Sequence, residues 1–254
     1  AEDEAEPAAP AEEEEPEEAM EEEEDAAAMI QPKVAELPKT LDEKVAFRET
    51  HLTQYQGKRL AKKYRKLVDG IDDPRLKEAV ALGYHKVLAY KDEYEVARLY
   101  TDGSFERRLR EQFEGDFTLK FHLAPPLFSK KDSVTGHLIK KSFPQVTFQV
   151  FRLLARFKGL RGSALDMFGY TSERREERAL ISEFKIDISA MLAELSTDNI
   201  EHAIAIARLP ESIRGYGHVK EASMAQAKLK KPGLFDRFYG RDNKVVRIYV
   251  QEAA

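Results

Sequence analysis

The 254-residue chain contains no cysteine. That excludes disulfide bridges, thiolate-held iron–sulfur clusters, cysteine zinc sites and cysteine nucleophiles, because each of those chemistries uses the sulfur itself. No stretch approaches the roughly 20 continuous apolar residues needed to cross a bilayer, and the N-terminus lacks the basic and apolar regions of a signal peptide. The expectation is a soluble, cytoplasmic chain with no membrane partner. Residues 1–28 also lack lysine and arginine altogether while holding 15 Asp and Glu. The formal charge of -5 therefore conceals an acidic segment ahead of a basic body, in which 41 basic side chains face 31 acidic ones. Length and a hydrophobic fraction of 42% suffice for a sizeable core in one or two domains.

The acidic segment is nearly all Ala, Glu and Pro, with Glu runs at 12–15 and 21–24. Such a composition buries too little apolar area to offset chain entropy. Residues 1–39 are expected to form a disordered acidic linker, extended by its own charge. The first residue is Ala1 rather than Met, which fits a segment cut from a longer polypeptide.

From Thr40 the apolar positions recur at helical spacing through Leu41, Val45, Leu52, Tyr55, Leu60, Tyr64 and Leu67, predicting one helix up to Gly70. Asp73-Pro74 is a start signal for a second, whose stripe through Leu76, Val80, Gly83, Val87, Tyr90, Tyr94 and Ala97 runs toward Gly103. A shorter helix is predicted over 104–114. The period then falls to 2 at Phe117, Leu119, Phe121 and Leu123, the pattern of a half-buried strand, with a return along Leu138 and Ile139 past Gly136. Further helices are predicted over 144–157, from Thr171 or Ser172 to Leu195, from an Asp198/Glu201 capping box to Pro210, and over 218–230, where Pro232-Gly233 ends the last. Residues 244–251 read as a short strand. The fold class is mainly α, a bundle-like helical domain over 40–239 with a minor β-hairpin or short strands, followed by a tail at 240–254.

Templates for an enzyme mostly fail. There is no G-x-S-x-G elbow, H-E-x-x-H helix, Walker loop or dinucleotide turn, and the six histidines never pair at i+2 to i+4. No catalytic or metal residue is assigned. Two segments combine glycine with cations. Arg214-Gly215-Tyr216-Gly217-His218-Val219-Lys220 stands before a helix start, where backbone amides and positive side chains attract anions; its alternative is a tight turn with a packed Tyr216. Arg156-Phe157-Lys158-Gly159-Leu160-Arg161-Gly162 carries three cations suited to polyphosphate; its alternatives are a helix end complementing its own dipole, or a subunit contact. The candidate anion contacts are thus Arg156, Lys158, Arg161, Arg214, Gly215, Gly217, His218 and Lys220. In a third segment, Lys91, Glu95 and Arg98 stand at helical pairing distances. The basic body leaves a polyanion-binding module with an autoinhibitory acidic tail as the alternative function, although nucleic acid is disfavoured because no module motif occurs.

Read in order, AYKDEYEVARLY at 89–100, FHLAPP at 121–126, FRLLARFKGLRG at 151–162, FGY at 168–170 and IRGYGHVK at 213–220 resemble the C-terminal region of the large indolepyruvate ferredoxin oxidoreductases, within the 2-oxoacid ferredoxin oxidoreductase family. The likeness spans roughly residues 40–238. It implies oxidative decarboxylation of aryl pyruvates by a complex in which thiamine diphosphate, iron–sulfur clusters and coenzyme A lie in or meet the catalytic and γ-type domains, with ferredoxin the eventual electron acceptor. No Gly-Asp-Gly thiamine motif occurs, and Gly115-Asp116 continues with Phe117. The resemblance therefore implies an accessory domain that carries no cofactor and is inert alone, contributing to assembly or to the substrate and coenzyme A channel, with candidate coenzyme A contacts among the cations above.

Overall fold

A computed structural model describes residues 38–115, 118–123, 141–215 and 217–241. The acidic segment, the strand start at Phe117, the return at Leu138 and Ile139, Tyr216 and the strand at 244–251 lie outside the described residues. The described chain is mainly helical, with a two-stranded antiparallel sheet.

Helix α1 is Leu41–Tyr55 and α2 is Lys58–Asp69. A capping box starts α1: the Thr40 hydroxyl accepts the Glu43 amide while the Glu43 carboxylate accepts the Thr40 amide. The single long helix expected here is broken at Gln56 and Gly57, where Gly57 takes φ 137°. Apolar spacing continues across the break because both helices bury against the same core, so periodicity alone could not reveal it.

Helix α3, Pro74–Leu88, begins as expected, with the Asp73 carboxylate accepting the amides of Arg75 and Leu76. The stripe toward Gly103 is likewise two helices. The chain leaves α3 at Ala89 and restarts as α4, Glu93–Thr101, once the Asp92 carboxylate caps the Glu95 amide. Helix α5 is Ser104–Gln112, β1 is Phe121–Leu123 and β2 is Lys141–Phe143. Phe121 pairs with Phe143, so the partner of β1 is the segment just after the expected Leu138 and Ile139.

Helix α6 is Thr147–Arg156, α7 is Ser172–Ala193 capped by Thr171, and α8 is Ile200–Arg208. The expected Asp198 capping box is absent from α8: Asn199 is its N-cap, and the Asn199 side-chain oxygen accepts the Ser196 amide. Helix α9 is Gly217–Phe238, and it runs through Pro232 rather than stopping before it. Proline inside a helix costs about 3 kcal/mol. Contacts on both sides offset that cost here: Lys231 pairs with Asp187 of α7 at 2.6 Å, and Phe238 is buried in the core with Leu234 and Phe235 against it.

The main core joins α1, α2, α3, α7 and α8 through side chains such as Leu52, Tyr64, Val80, Tyr84, Phe184, Ile188 and Ala207. Helices α3 and α8 touch at Gly83, where a Cβ would stand 2.1 Å from the Ala207 carbonyl oxygen, so only glycine permits this approach. A second, aromatic cluster gathers Ala97, Phe121, Phe148 and Phe151 where α4, α6 and the hairpin meet. Among the described residues no helix is long and apolar enough to cross a membrane.

Candidate functional site

The two basic segments are put to different uses. Arg161 is buried with its side chain 2% exposed. Its Nε and Nη2 donate to the two oxygens of Asp92 at 2.5 and 2.7 Å, and its Nη1 donates to the Tyr55 carbonyl at 2.8 Å. The guanidinium lies 3.6 Å from the centre of the Tyr55 ring. Lys158 donates to the Gln54 carbonyl, and Gln56 donates through Nε2 to the Arg161 carbonyl at 3.0 Å. These cations thus satisfy carbonyls left open where α1 stops, as a helix C-terminus invites. That is the physical reason α1 can end at Tyr55. Arg156 is exposed at the last residue of α6. Arg161 has its donors committed to the fold, so the polyphosphate cradle expected of this segment is instead a brace between α1 and the cap of α4.

The second segment borders an open space. Lys86, Val87, Ala89, Tyr90, Lys91, Glu177, Leu180, Pro210, Ile213, Arg214, Gly215 and Lys220 line a cleft of about 280 Å³. Its apolar lining comes from Val87, Leu180, Pro210 and Ile213, and its charge from four cations and one carboxylate. A 3₁₀ turn at Leu209–Ser212 leads to Ile213, and Gly215 takes φ 86°. A Cβ on Gly215 would approach the Val219 side chain at 2.5 Å, so the turn into α9 needs glycine twice over, for conformation and for space. Ser223 fixes Arg214 from the next turn of α9, accepting the Arg214 amide at 3.1 Å and donating to its carbonyl at 2.9 Å. Gly217 and His218 stand in the first turn of α9.

A line of buried charge holds the cleft in place. Glu177 of α7 accepts from Arg174 Nη1 at 2.6 Å and from Lys220 Nζ. Arg174 also faces Glu93 at 3.6 Å. Burial pushes the Glu93 carboxyl above its usual range, with Arg174 acting against that rise. Lys220 is therefore anchored to Glu177, and Lys86, Lys91 and Arg214 border the cleft with exposed side chains. The arrangement suits an organic anion, with apolar surface for its body and cations for its phosphate or carboxylate.

The cleft residues Lys86 and Glu177 carried no signal in the sequence, and Tyr90 was legible only as a position of the apolar stripe and of the 89–100 segment, not as a cleft residue. Lys91 was legible as charge, but it precedes α4 and lies at the cleft. The expected Glu95 and Arg98 pair is present, with Arg98 donating bidentately to Glu95 at 2.8 and 2.7 Å. Burial works to raise the Glu95 carboxyl, but Arg98 and His51 hold it down at about 2. His51 Nδ1 lies 3.0 Å from His85 Nε2, and burial together with His51 lowers His85 to about 3.

The chain is thus a helical domain with an apolar-floored cationic cleft. It belongs to the family of unknown function DUF6537, whose model matches residues 41–231. No curated protein and no solved structure matches it.

Proposed function

We propose that the chain is an accessory domain of an indolepyruvate-type 2-oxoacid:ferredoxin oxidoreductase, working in the cytoplasm. It carries no cofactor and is inert alone. Its catalytic and γ-type partners supply thiamine diphosphate and iron–sulfur clusters and pass electrons to ferredoxin, while this domain offers an anion site beside the path of coenzyme A. The observation that carries the reading is the grouping of Arg214, Gly215 and Lys220 with Lys86 and Lys91 around one apolar-floored cleft, on a motif that resembles that family's. An amphiphilic phosphorylated ligand matches such a lining better than a nucleic acid backbone does, because the floor is apolar and enclosed by helices.

The test begins with the tagged chain drawn from its native lysate and the eluate assayed for 2-oxoacid-dependent, coenzyme A-dependent reduction of a viologen dye. Co-elution of that activity is expected. In the recovered complex, Lys86→Ala with Arg214→Ala should raise the KM for coenzyme A while kcat and assembly hold. An unchanged KM in an intact complex would remove the cleft from the reading, and a chain that brings down no such activity would remove the complex.

A further inference from the structure

Helix α6 is apolar on two faces. The inner face buries Phe148 and Phe151 in the aromatic cluster. The outer face carries Val146, Val150, Leu153 and Phe157, which are between 46% and 67% exposed. Val150 and Leu153 lie in α6, with Val146 its N-cap and Phe157 its C-cap, so the 4, 3, 4 spacing, the alternation of a helix–helix seam, runs the length of α6 and its two caps, about 16 Å at roughly 1.5 Å per residue. The domain makes no use of these four side chains in its described cores, and contiguous exposed apolar surface of this kind marks an interaction site. Charge narrows the partner. Helix α6 has no Asp or Glu, and of the two exposed arginines beside the stripe Arg152 pairs with Glu106 of α5 at 3.3 Å, whereas Arg156 meets no carboxylate among the described residues.

The geometry points to a docking face for an α-helix of a partner polypeptide, one that presents an apolar 4-3 stripe flanked by carboxylates. A second copy of this chain is a poorer match, because Glu106 is already taken up by Arg152 in each copy and self-pairing would leave Arg156 of both without a carboxylate. A lipid surface favours a broad apolar face, whereas here the inner face is already buried and a single stripe remains. The inference stands on α6 alone and does not depend on the oxidoreductase reading.

The test uses the full chain and a labelled three-heptad helical peptide with Leu at the seam positions and Glu on both flanks, read by fluorescence anisotropy. The chain should bind this peptide, and a counterpart with Lys on the flanks should bind at least tenfold more weakly. Val150→Asp with Leu153→Asp should weaken the Glu peptide at least tenfold while leaving the circular dichroism melt in place. Arg156→Glu, an exposed change that leaves the stripe intact, should shift preference toward the Lys peptide, which keeps the test valid if the double variant misfolds. Equal binding of both peptides, or equal binding by parent and double variant, would overturn the inference. So would a chain that sediments as a dimer until the double substitution is made, which assigns the stripe to a second copy, or stripe-dependent binding to phosphatidylglycerol vesicles in place of peptide.

Discussion

The segments 156–162 and 214–220 look alike as sequence, each mixing glycine with three cationic or potentially cationic side chains, and the fold uses them in opposite ways. In the first, Arg161 turns inward to Asp92 and Tyr55 and Lys158 caps α1. In the second, Lys220 is tied to Glu177 while Arg214 borders the cleft. The difference lies in what each segment meets. An interrupted helix with open carbonyls lies beside the first, and a gap between α3, α7 and α9 lies beside the second. Glycine and cation content report a tight turn and positive charge, whereas the neighbouring backbone decides whether that charge braces the fold or faces a ligand.

The largest test of this contrast is Arg161→Ala. Removing the guanidinium strands a buried Asp92 carboxylate and opens the Tyr55 carbonyl, and loss of one partner of a buried pair costs about 3–5 kcal/mol. Arg161→Lys should recover only part of this, since an ammonium cannot make the two-oxygen fork. Urea unfolding at neutral pH measures both; a loss below about 1 kcal/mol for the alanine variant would show that the brace is not what holds α1 to α4.

Acid should separate the two regions next. His85 is held near 3 in the fold against about 6.5 when unfolded, so below pH 6.5 the unfolded chain takes up a proton that the folded chain refuses. Stability then falls as pH drops from about 6.5 toward 3, by on the order of 2–3 kcal/mol at pH 4. Glu95, held at about 2, adds to the loss at still lower pH. Glu93, beside the cleft, acts with the opposite sign: its carboxyl is raised by burial, so acidification eases its cost. Unfolding free energies measured from pH 7 to pH 4 should fall in the parent and fall less in His85→Gln. Parallel curves would show that the His51 and His85 contact carries no such linkage.

Glu177→Gln probes the join between fold and cleft. The amide keeps the shape but weakens the bonds from Arg174 and Lys220, at a cost of about 1–3 kcal/mol. It also removes the carboxylate from the cleft lining, so an anion such as pyrophosphate should bind more tightly even as stability falls. Calorimetric titration reads the second effect, and weaker pyrophosphate binding would place the anion away from Lys220.

Local signals gave a correct reading at three helix starts, although the equally local Asp198 box gave way to Asn199 at α8 and the Asp92 cap of α4 was hidden in a continuous stripe. Thr40 with Glu43, Asp73 with Pro74 and Thr171 each start a helix at the expected place because a cap bonds only two or three residues away. Two other misplaced boundaries depend on distant atoms. Arg161, 106 residues from Tyr55, closes the end of α1; Asp187 and the core carry α9 through Pro232. The cleft was half legible for the same reason. Arg214, Gly215 and Lys220 share a motif, but Lys86, Tyr90 and Glu177 join them only through the packing of α3 and α7.

Arg214→Ala should have the smallest effect on the fold and is the sharpest converse of Arg161→Ala. Its side chain is exposed, and its Nε reaches the Glu211 carbonyl at 3.3 Å, a contact water can replace. The backbone position is held independently by Ser223. Stability should therefore change by less than about 0.5 kcal/mol, while affinity for pyrophosphate falls several-fold and loses part of its salt dependence. A variant that loses stability as Arg161→Ala does would make the second segment another brace, and the contrast between the two would collapse.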